Sequence, residues 1–191
     1  MALLEPITLS GVTPEPVTLR AGRPDDAPGI LDLRRAVATE CPFMIAEPGE
    51  IAVSPRGLCR KLAAWEADAA TLCLVACAQG RIVGLSLLRG ARRRRVAHNA
   101  TLTLMVSLSH RGLGIGGALL DASLAWASAH PTIAIVSLTA ASDNRPAIGL
   151  YRTRGFEIEG TRRARLRLSR TRFADVHLMA RLVKTISVAC Q

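Results

Sequence analysis

The stretch "RGLGIGGALL" limits what this chain can fold into more than any other. Four glycines, at positions 112, 114, 116 and 117, fall within six residues and lead straight into apolar residues at helical spacing. Glycine loses more backbone freedom on folding than any other residue, so such a cluster marks a place where the backbone must bend sharply or approach something closely. Before it stands "VAHNATLTLMVS" (96–107), an alternating, β-branched run that reads as a strand. Strand, glycine turn and helix in succession make an anion site. Main-chain N–H groups point outward, and the helix adds about half a positive charge at its N-terminus.

The remaining elements follow from periodicity and punctuation. "VTLRAG" (17–22) reads as a short strand. "RPDDAPGILDLRRAVATE" opens a helix, with Asp25 and Asp26 complementing its positive end. "PRGLCRKLAAWEAD" (55–68) spaces Leu58, Leu62 and Trp65 helically, and "TLCLVACAQGRIVGLSLLRG" is a hairpin about Ala-Gln-Gly. The helix after the glycines places Leu119, Leu120, Leu124 and Ala127 on one stripe, and "TIAIVSLTA" (132–140) is apolar enough for a strand buried on both faces. A short helix over 144–155 ends at Gly155, and two alternating segments close the chain.

The predicted order is β-α-α-β-β-β-α-β-α-β-β: about seven strands and about four helices in one α/β (α+β) domain. Its sheet is mostly antiparallel, with a β-α-β crossover at the glycine turn. Residues 1–15, with Pro6 and Pro14 and no periodicity, read as a loose arm, 16–184 as the domain and 185–191 as a tail.

The charge of +10 invites a nucleic-acid reading. All 25 basic residues except Lys61 and Lys184 are arginines, scattered along the chain, and only three Phe and one Tyr could stack on bases. A polyanionic small ligand suits this pattern better than nucleic acid. No apolar run approaches the roughly 18–20 residues that cross a bilayer. "MALLEPITLSG" lacks a basic leader, so no membrane partner and a cytoplasmic location are expected. The five cysteines form no C-x-x-C pair. Cys73 and Cys77 share a strand face at about 13 Å, too far for a disulfide, and read as small apolar side chains. No metal site is expected.

The glycines satisfy a bare G-x-G-x-x-G, but no acid stands about 20 residues on to hold a ribose, and no lysine makes a Walker loop. Arg111, Gly112, Leu113, Gly114, Ile115 and Gly116 instead have the form R-x-x-G-x-G. This resembles the pyrophosphate loop of the GNAT acetyltransferase superfamily. "NRPAIGLYRTRGFEIEGTRR" (144–163) resembles that superfamily's second hallmark, an Asn opening a helix with A-x-x-L-Y-x-x-x-G-F, and "DVHLMAR" its closing strand. The resemblance covers about 17–183. "HNATLTLMV" and "GFEIEGTRR" look most like the bacterial small-molecule branch, which acetylates L-amino acids and phosphinothricin-like amines.

The resemblance implies roles residue by residue. Amides of Arg111, Gly112, Leu113, Gly114, Ile115, Gly116 and Gly117 would hold the pyrophosphate of acetyl-CoA, and the main chain of Met105 and Val106 its pantetheine arm. Asn144 reads as a helix cap, and the resemblance adds contact with CoA or an ordered water. Tyr151, the single tyrosine, would sit near the CoA sulfur and protonate or hydrogen-bond the departing thiolate. Many members carry a Glu general base on the strand before the loop, and this strand has none. His98 shares a strand face with Ala100, Leu102 and Leu104 and is the nearest titratable candidate. Glu47 and Glu50, in "AEPGE", are candidates for the acceptor site. Freeing an amine of pKa near 8 at pH 7 costs about 1.4 kcal/mol, against about 4.6 kcal/mol for lysine, so a site without a strong base leans towards less basic amines.

The implied activity is acetyl transfer from acetyl-CoA to a primary amine of a small molecule by direct attack in a ternary complex. The rivals are an N-terminal protein acetyltransferase and a non-catalytic CoA-binding sensor. Family members often dimerise, which leaves room for a homodimer.

Overall fold

A computed structural model describes residues 5–9 and 16–186. The elements run β1 (Ile7–Leu9), β2 (Val17–Ala21), α1 (Ala27–Glu40), α2 (Pro55–Glu66), β3 (Thr71–Ala78), β4 (Arg81–Gly90), β5 (Asn99–Val106), α3 (Ile115–Ala129), β6 (Ile135–Ala141), α4 (Arg145–Arg152), β7 (Glu157–Arg167) and β8 (Phe173–Leu182). The strands hydrogen-bond in the order β1-β2-β3-β4-β5-β6-β8-β7, mostly antiparallel, with β5 and β6 parallel. The predicted succession holds, with β1 added where the sequence has no periodicity. The rest of the expected arm (1–4 and 10–15) and the tail from 187 lie outside the described residues.

Two compact units divide the chain: residues to 88 together with 103–123, and 89–102 together with 124 onward. In the first, α1 buries Ile30, Leu31, Leu33 and Val37 against Leu58 and Leu62 of α2 and against Val75 and Leu85 of the sheet. The start of α1 is held by Arg20, whose two terminal nitrogens each donate to Asp26 at 2.7 Å. Burial alone would raise the Asp26 carboxyl. The Arg20 bonds and the Arg23 N–H outweigh it and leave the carboxyl below its usual range. The β3–β4 hairpin turns on Gln79 and Gly80, both at positive φ (50° and 72°), as a tight two-residue connection requires.

Gly84 in β4 is the seat of α3. A Cβ there would lie 2.9 Å from Leu119 Cδ1 and 3.4 Å from Ile115 Cγ2. Its absence lets the first turns of the helix rest directly on the sheet. Ile115, Leu119 and Leu120 are fully buried, and Ser123 Oγ on the same helix meets Ser86 Oγ at 2.7 Å while donating to Leu119 O at 2.8 Å.

In the second unit β6 pairs antiparallel with β8 from Ile135↔Leu182 to Ala141↔Val176, and β8 pairs with β7. The expectation that this apolar strand is buried on both faces is corrected. Val136, Leu138 and Ala140 are buried, but Thr139 between them is exposed, so one face packs. β7 is an edge strand and almost wholly exposed. Its pairing is interrupted between Arg162 and Leu166, where Ala164 takes a positive φ of 50° and donates its N–H to Asp175 Oδ1 at 2.8 Å. Cys41, Cys59, Cys73 and Cys77 are free thiols, and burial pushes Cys73 up to about 12. Cys190 lies outside the described residues. Among the described residues no helix is long and apolar enough to cross a membrane, and no His, Cys, Asp and Glu group is placed to hold a metal.

Candidate active site

The end of β5 and the start of α3 are joined by a tightly tied turn. Ser107 N–H donates to Val83 O on β4 at 2.9 Å. Successive strand residues direct their hydrogen-bonding groups to opposite edges, so the N–H and C=O of Val106 point away from β4. Along that edge the parallel pairing with β6 covers only residues 99–101, ending at Thr101↔Ser137, although β5 continues to Val106. Arg111 Nε reaches back and donates to Val106 O at 3.0 Å. Between these points a short 3-10 turn (Leu108–His110) is braced by His110 Nδ1, which lies 2.9 Å from both Ser107 Oγ and Ser109 Oγ.

Gly112 and Gly114 then take φ values of +76° and +78°, a region that costs residues with a Cβ roughly 1–2 kcal/mol. Nothing lies within 4 Å of where a Cβ on Gly112 would stand. The demand at Gly112 is therefore conformational, and the space beside its backbone is open. Ala118 N–H donates to Gly114 O at 3.0 Å, which makes Gly114 the residue that caps α3. A glycine cap has no side chain to accept from the first turn, so the N–H groups of Ile115, Gly116 and Gly117 receive no bond from it. The arrangement fits a diphosphate: rigidly seated donors, a dipole of the right sign and room for approach.

Asn144 and Tyr151 share α4. Asn144 Oδ1 accepts from Ala147 N–H at 3.4 Å, and its carbonyl accepts from Ile148 N–H at 3.0 Å, so the expected capping role is present. Tyr151 is 8% exposed, with its ring centroid 5.8 Å from that of Phe156 and the two planes tilted by 58°. Burial pushes its phenol up to about 12, so the hydroxyl holds its proton throughout the neutral range.

The other candidates fall differently. His98 precedes β5 rather than lying within it, and its carbonyl accepts from Ala134 N–H (2.8 Å) and Ile135 N–H (3.0 Å). Eight residues of extended chain, roughly 26 Å, separate it from Val106. Glu47 and Glu50 are exposed and serve their own turn, Glu47 N–H donating to Glu50 Oε2 at 3.0 Å and Glu50 N–H to Glu47 O at 3.0 Å. Arg92, Arg93, Arg94 and Arg95, in the connection between β4 and β5, are exposed.

Sequence reasoning missed Glu40, the last residue of α1. Its Oε2 accepts from Leu108 N–H at 3.2 Å, which places a carboxylate beside the turn that leaves β5. The pair is 68 residues apart in sequence, and no local signal connects them.

Comparison with known proteins is consistent with this geometry. The profile of the acetyltransferase (GNAT) family matches residues 36–156, from within α1 through the glycine turn to Phe156. The L-amino acid N-acetyltransferase AaaT of Escherichia coli (strain K12) is 32% identical over 109 residues, 57% of this chain and 67% of that protein. The crystal structure of a GNAT-family acetyltransferase from Streptococcus pneumoniae superposes with a TM-score of 0.84 at 26% identity, covering 87% of this chain and 99% of that one. A phosphinothricin acetyltransferase from Sinorhizobium meliloti, solved in complex with AcCoA, superposes with a TM-score of 0.74 at 21% identity, covering 87% and 88%.

Proposed function

Because this chain belongs to the GNAT acetyltransferase family, we propose that it transfers acetyl from acetyl-CoA to the primary amine of a small molecule, an amino acid or a close analogue, by direct attack within a ternary complex. The observation that carries this reading is the glycine-capped start of α3 behind a strand whose outer edge is open at Val106. The likeness to an L-amino acid N-acetyltransferase supports the class of acceptor.

Acetyl-CoA supplies the activated acyl group as a thioester. The chain's own residues bind, orient and polarise. Amides of Ile115, Gly116 and Gly117, with those of the preceding turn from Arg111 to Gly114, hold the diphosphate. The main chain of Met105 and Val106 receives the pantetheine arm as an added strand would be received, and Val106 N–H polarises the thioester carbonyl. Asn144 holds α4 in shape and adds a carboxamide contact to CoA. As the amine nitrogen bonds to the carbonyl carbon the C–S bond breaks, and the thiolate needs a donor. With the Tyr151 phenol at about 12 and a thiol near 8.5, complete proton transfer is uphill by about 5 kcal/mol. Tyr151 therefore acts as a hydrogen-bond donor that keeps its proton, stabilising charge as it forms on sulfur. The amine's own proton leaves through water. Much of the acceleration comes from holding the two reactants in line.

A homodimer and a cytoplasmic location belong to the same reading and rest on the family resemblance. Light scattering on the purified chain tests the first. The central test is calorimetry with acetyl-CoA followed by thiol release over free amino acids, amino-acid-like compounds and short peptides. The expected result is binding, with turnover confined to small amines. Turnover confined to peptide N-termini would make it a protein acetyltransferase, and binding without thiol release from any amine would make it a sensor.

A further inference from the structure

Three acidic side chains, Glu40, Glu47 and Glu50, stand between the end of α1 and the start of α2. Glu50 is engaged in the turn it forms with Glu47. Glu40 instead crosses to another element, its Oε2 accepting from Leu108 N–H, two residues beyond Val106. Its carboxylate is exposed, and its second oxygen, Oε1, takes no part in that bond.

This is not an isolated surface contact. Met105, at the end of β5, packs against the core to which α1 contributes Val37, with Ala38, Cys41 and Met44 also against it. Val37 of α1 thus belongs to the apolar cluster on which Met105 of β5 packs, and the Glu40 bond ties the end of α1 to the turn that follows β5. In the turn that follows β5, Arg111 Nε donates to Val106 O, and His110 Nδ1 lies on Ser107 Oγ and Ser109 Oγ. β5 itself, from Asn99 to Val106, carries no carboxylate. In a chain of net charge +10, an incoming ammonium needs a local anion to reach this end of the strand.

We propose that Glu40 is the anchor for the acceptor's ammonium group, so the enzyme selects primary amines that arrive protonated and reads them by their amino end. This rests on the acetyltransferase reading above. An ionised acceptor shortens and strengthens such hydrogen bonds. Because the anchor acts in the ground state, it governs acceptor binding and leaves the chemical step to the groups around the thioester. A site that grips the ammonium alone takes a free amino acid and its amide alike, since the two differ only at the other end.

The test compares wild type with Glu40→Gln and Glu40→Ala, using free L-amino acids and their amides at saturating acetyl-CoA. Gln keeps an acceptor for Leu108 N–H and removes only the charge. The expected result for Glu40→Gln is an acceptor KM raised at least tenfold, equally for acids and amides, with kcat within about threefold and the acetyl-CoA Kd unchanged by calorimetry. An acceptor KM within twofold of wild type in both variants, with wild type active, overturns the anchor and leaves the acetyltransferase reading standing. So does a fall in kcat at constant KM, which would make Glu40 a base. A parallel loss of acetyl-CoA affinity also overturns it, since the carboxylate would then be bracing the loop. Wild type that binds acetyl-CoA but releases no thiol with any amine defeats the acetyltransferase reading itself, and the anchor with it.

Discussion

α3 and α4 begin in opposite ways. α4 satisfies its own first turn: Asn144 Oδ1 accepts from Ala147 N–H, as Ser54 Oγ does from Gly57 N–H at the start of α2. α3 starts from Gly114, which has nothing to give. A glycine in the capping position costs a helix a few tenths of a kcal/mol against Ser, Thr, Asn or Asp. Here that cost falls on a helix that can bear it, because Ile115, Leu119 and Leu120 are fully buried and Gly84 lets them sit hard against the sheet. The contrast teaches where a ligand is accommodated. On the proposed reading, the self-capped helix carries the buried Tyr151 towards the thioester, while the glycine-capped one keeps its donors for an anion.

The strongest way to break this contrast is at Gly114. Gly114→Val puts a β-branched residue at a φ of +78°, where it cannot rest without strain, and moves the first N–H groups of α3. The acetyl-CoA Kd is expected to rise at least 100-fold by calorimetry. A melting curve run alongside separates loss of the site from loss of the fold. Affinity unchanged in a folded variant would mean that the bare helix start is not the anion site.

Legibility in the sequence follows the range of the interaction. The strand–turn–helix unit was readable because its signals are local. The stripe of Leu119, Leu120, Leu124 and Ala127 is borne out by burial, and Ala100 and Leu102, read as sharing a strand face, are both buried. What failed depends on where elements end or meet. Period two carries no information on where a strand begins, and three residues of the expected strand (96–98), His98 among them, precede β5. β1 is three residues long and exists by pairing with β2, a partner no periodicity could name. Glu40 meets Leu108 across 68 residues of sequence, and a side-chain contact at that range leaves no trace in composition or spacing.

Tyr151→Phe sharpens the contrast from the other helix. The ring and its contact with Phe156 stay, so stability near neutral pH is expected to change little. Losing the hydroxyl is expected to lower kcat by about 100-fold, at the low end for loss of one preorganised donor, with the acetyl-CoA Kd unchanged. Loss of affinity equal to that of Gly114→Val would erase the division of labour. The same residue has a signature in base. Its phenol is held at about 12 when folded, against 10.0 for the free group, so the folded state keeps a proton that the unfolded state releases. Stability from this source is fully present below about pH 10 and is lost as pH rises towards 12, about 2–3 kcal/mol in all. Denaturant melts at pH 9 and 11.5 should show a larger loss in wild type than in Tyr151→Phe, the remainder coming from Cys73, which burial also holds at about 12.

The smallest effects come from the caps themselves and separate them best. Asn144→Ala removes a cap whose bond is long at 3.4 Å, so the stability cost is expected at the low end, about 0.5 kcal/mol. Its carboxamide contact with CoA should raise the acetyl-CoA Kd about fivefold. Ser54→Ala removes a shorter bond of 3.1 Å to Gly57 N–H, so about 1 kcal/mol of stability should go with no change in acetyl-CoA affinity at all. The pair is informative because the two quantities are expected to move in opposite orders: the better cap costs more stability and no binding, the poorer cap less stability and some binding. If both variants lose stability alone, Asn144 is only a cap, and α4 contributes to the site through Tyr151 and no other group. If Ser54→Ala also weakens acetyl-CoA, cap loss anywhere in the first unit loosens the glycine turn, and the effect at Gly114 has to be read as stability transmitted through the fold rather than as donors lost to an anion.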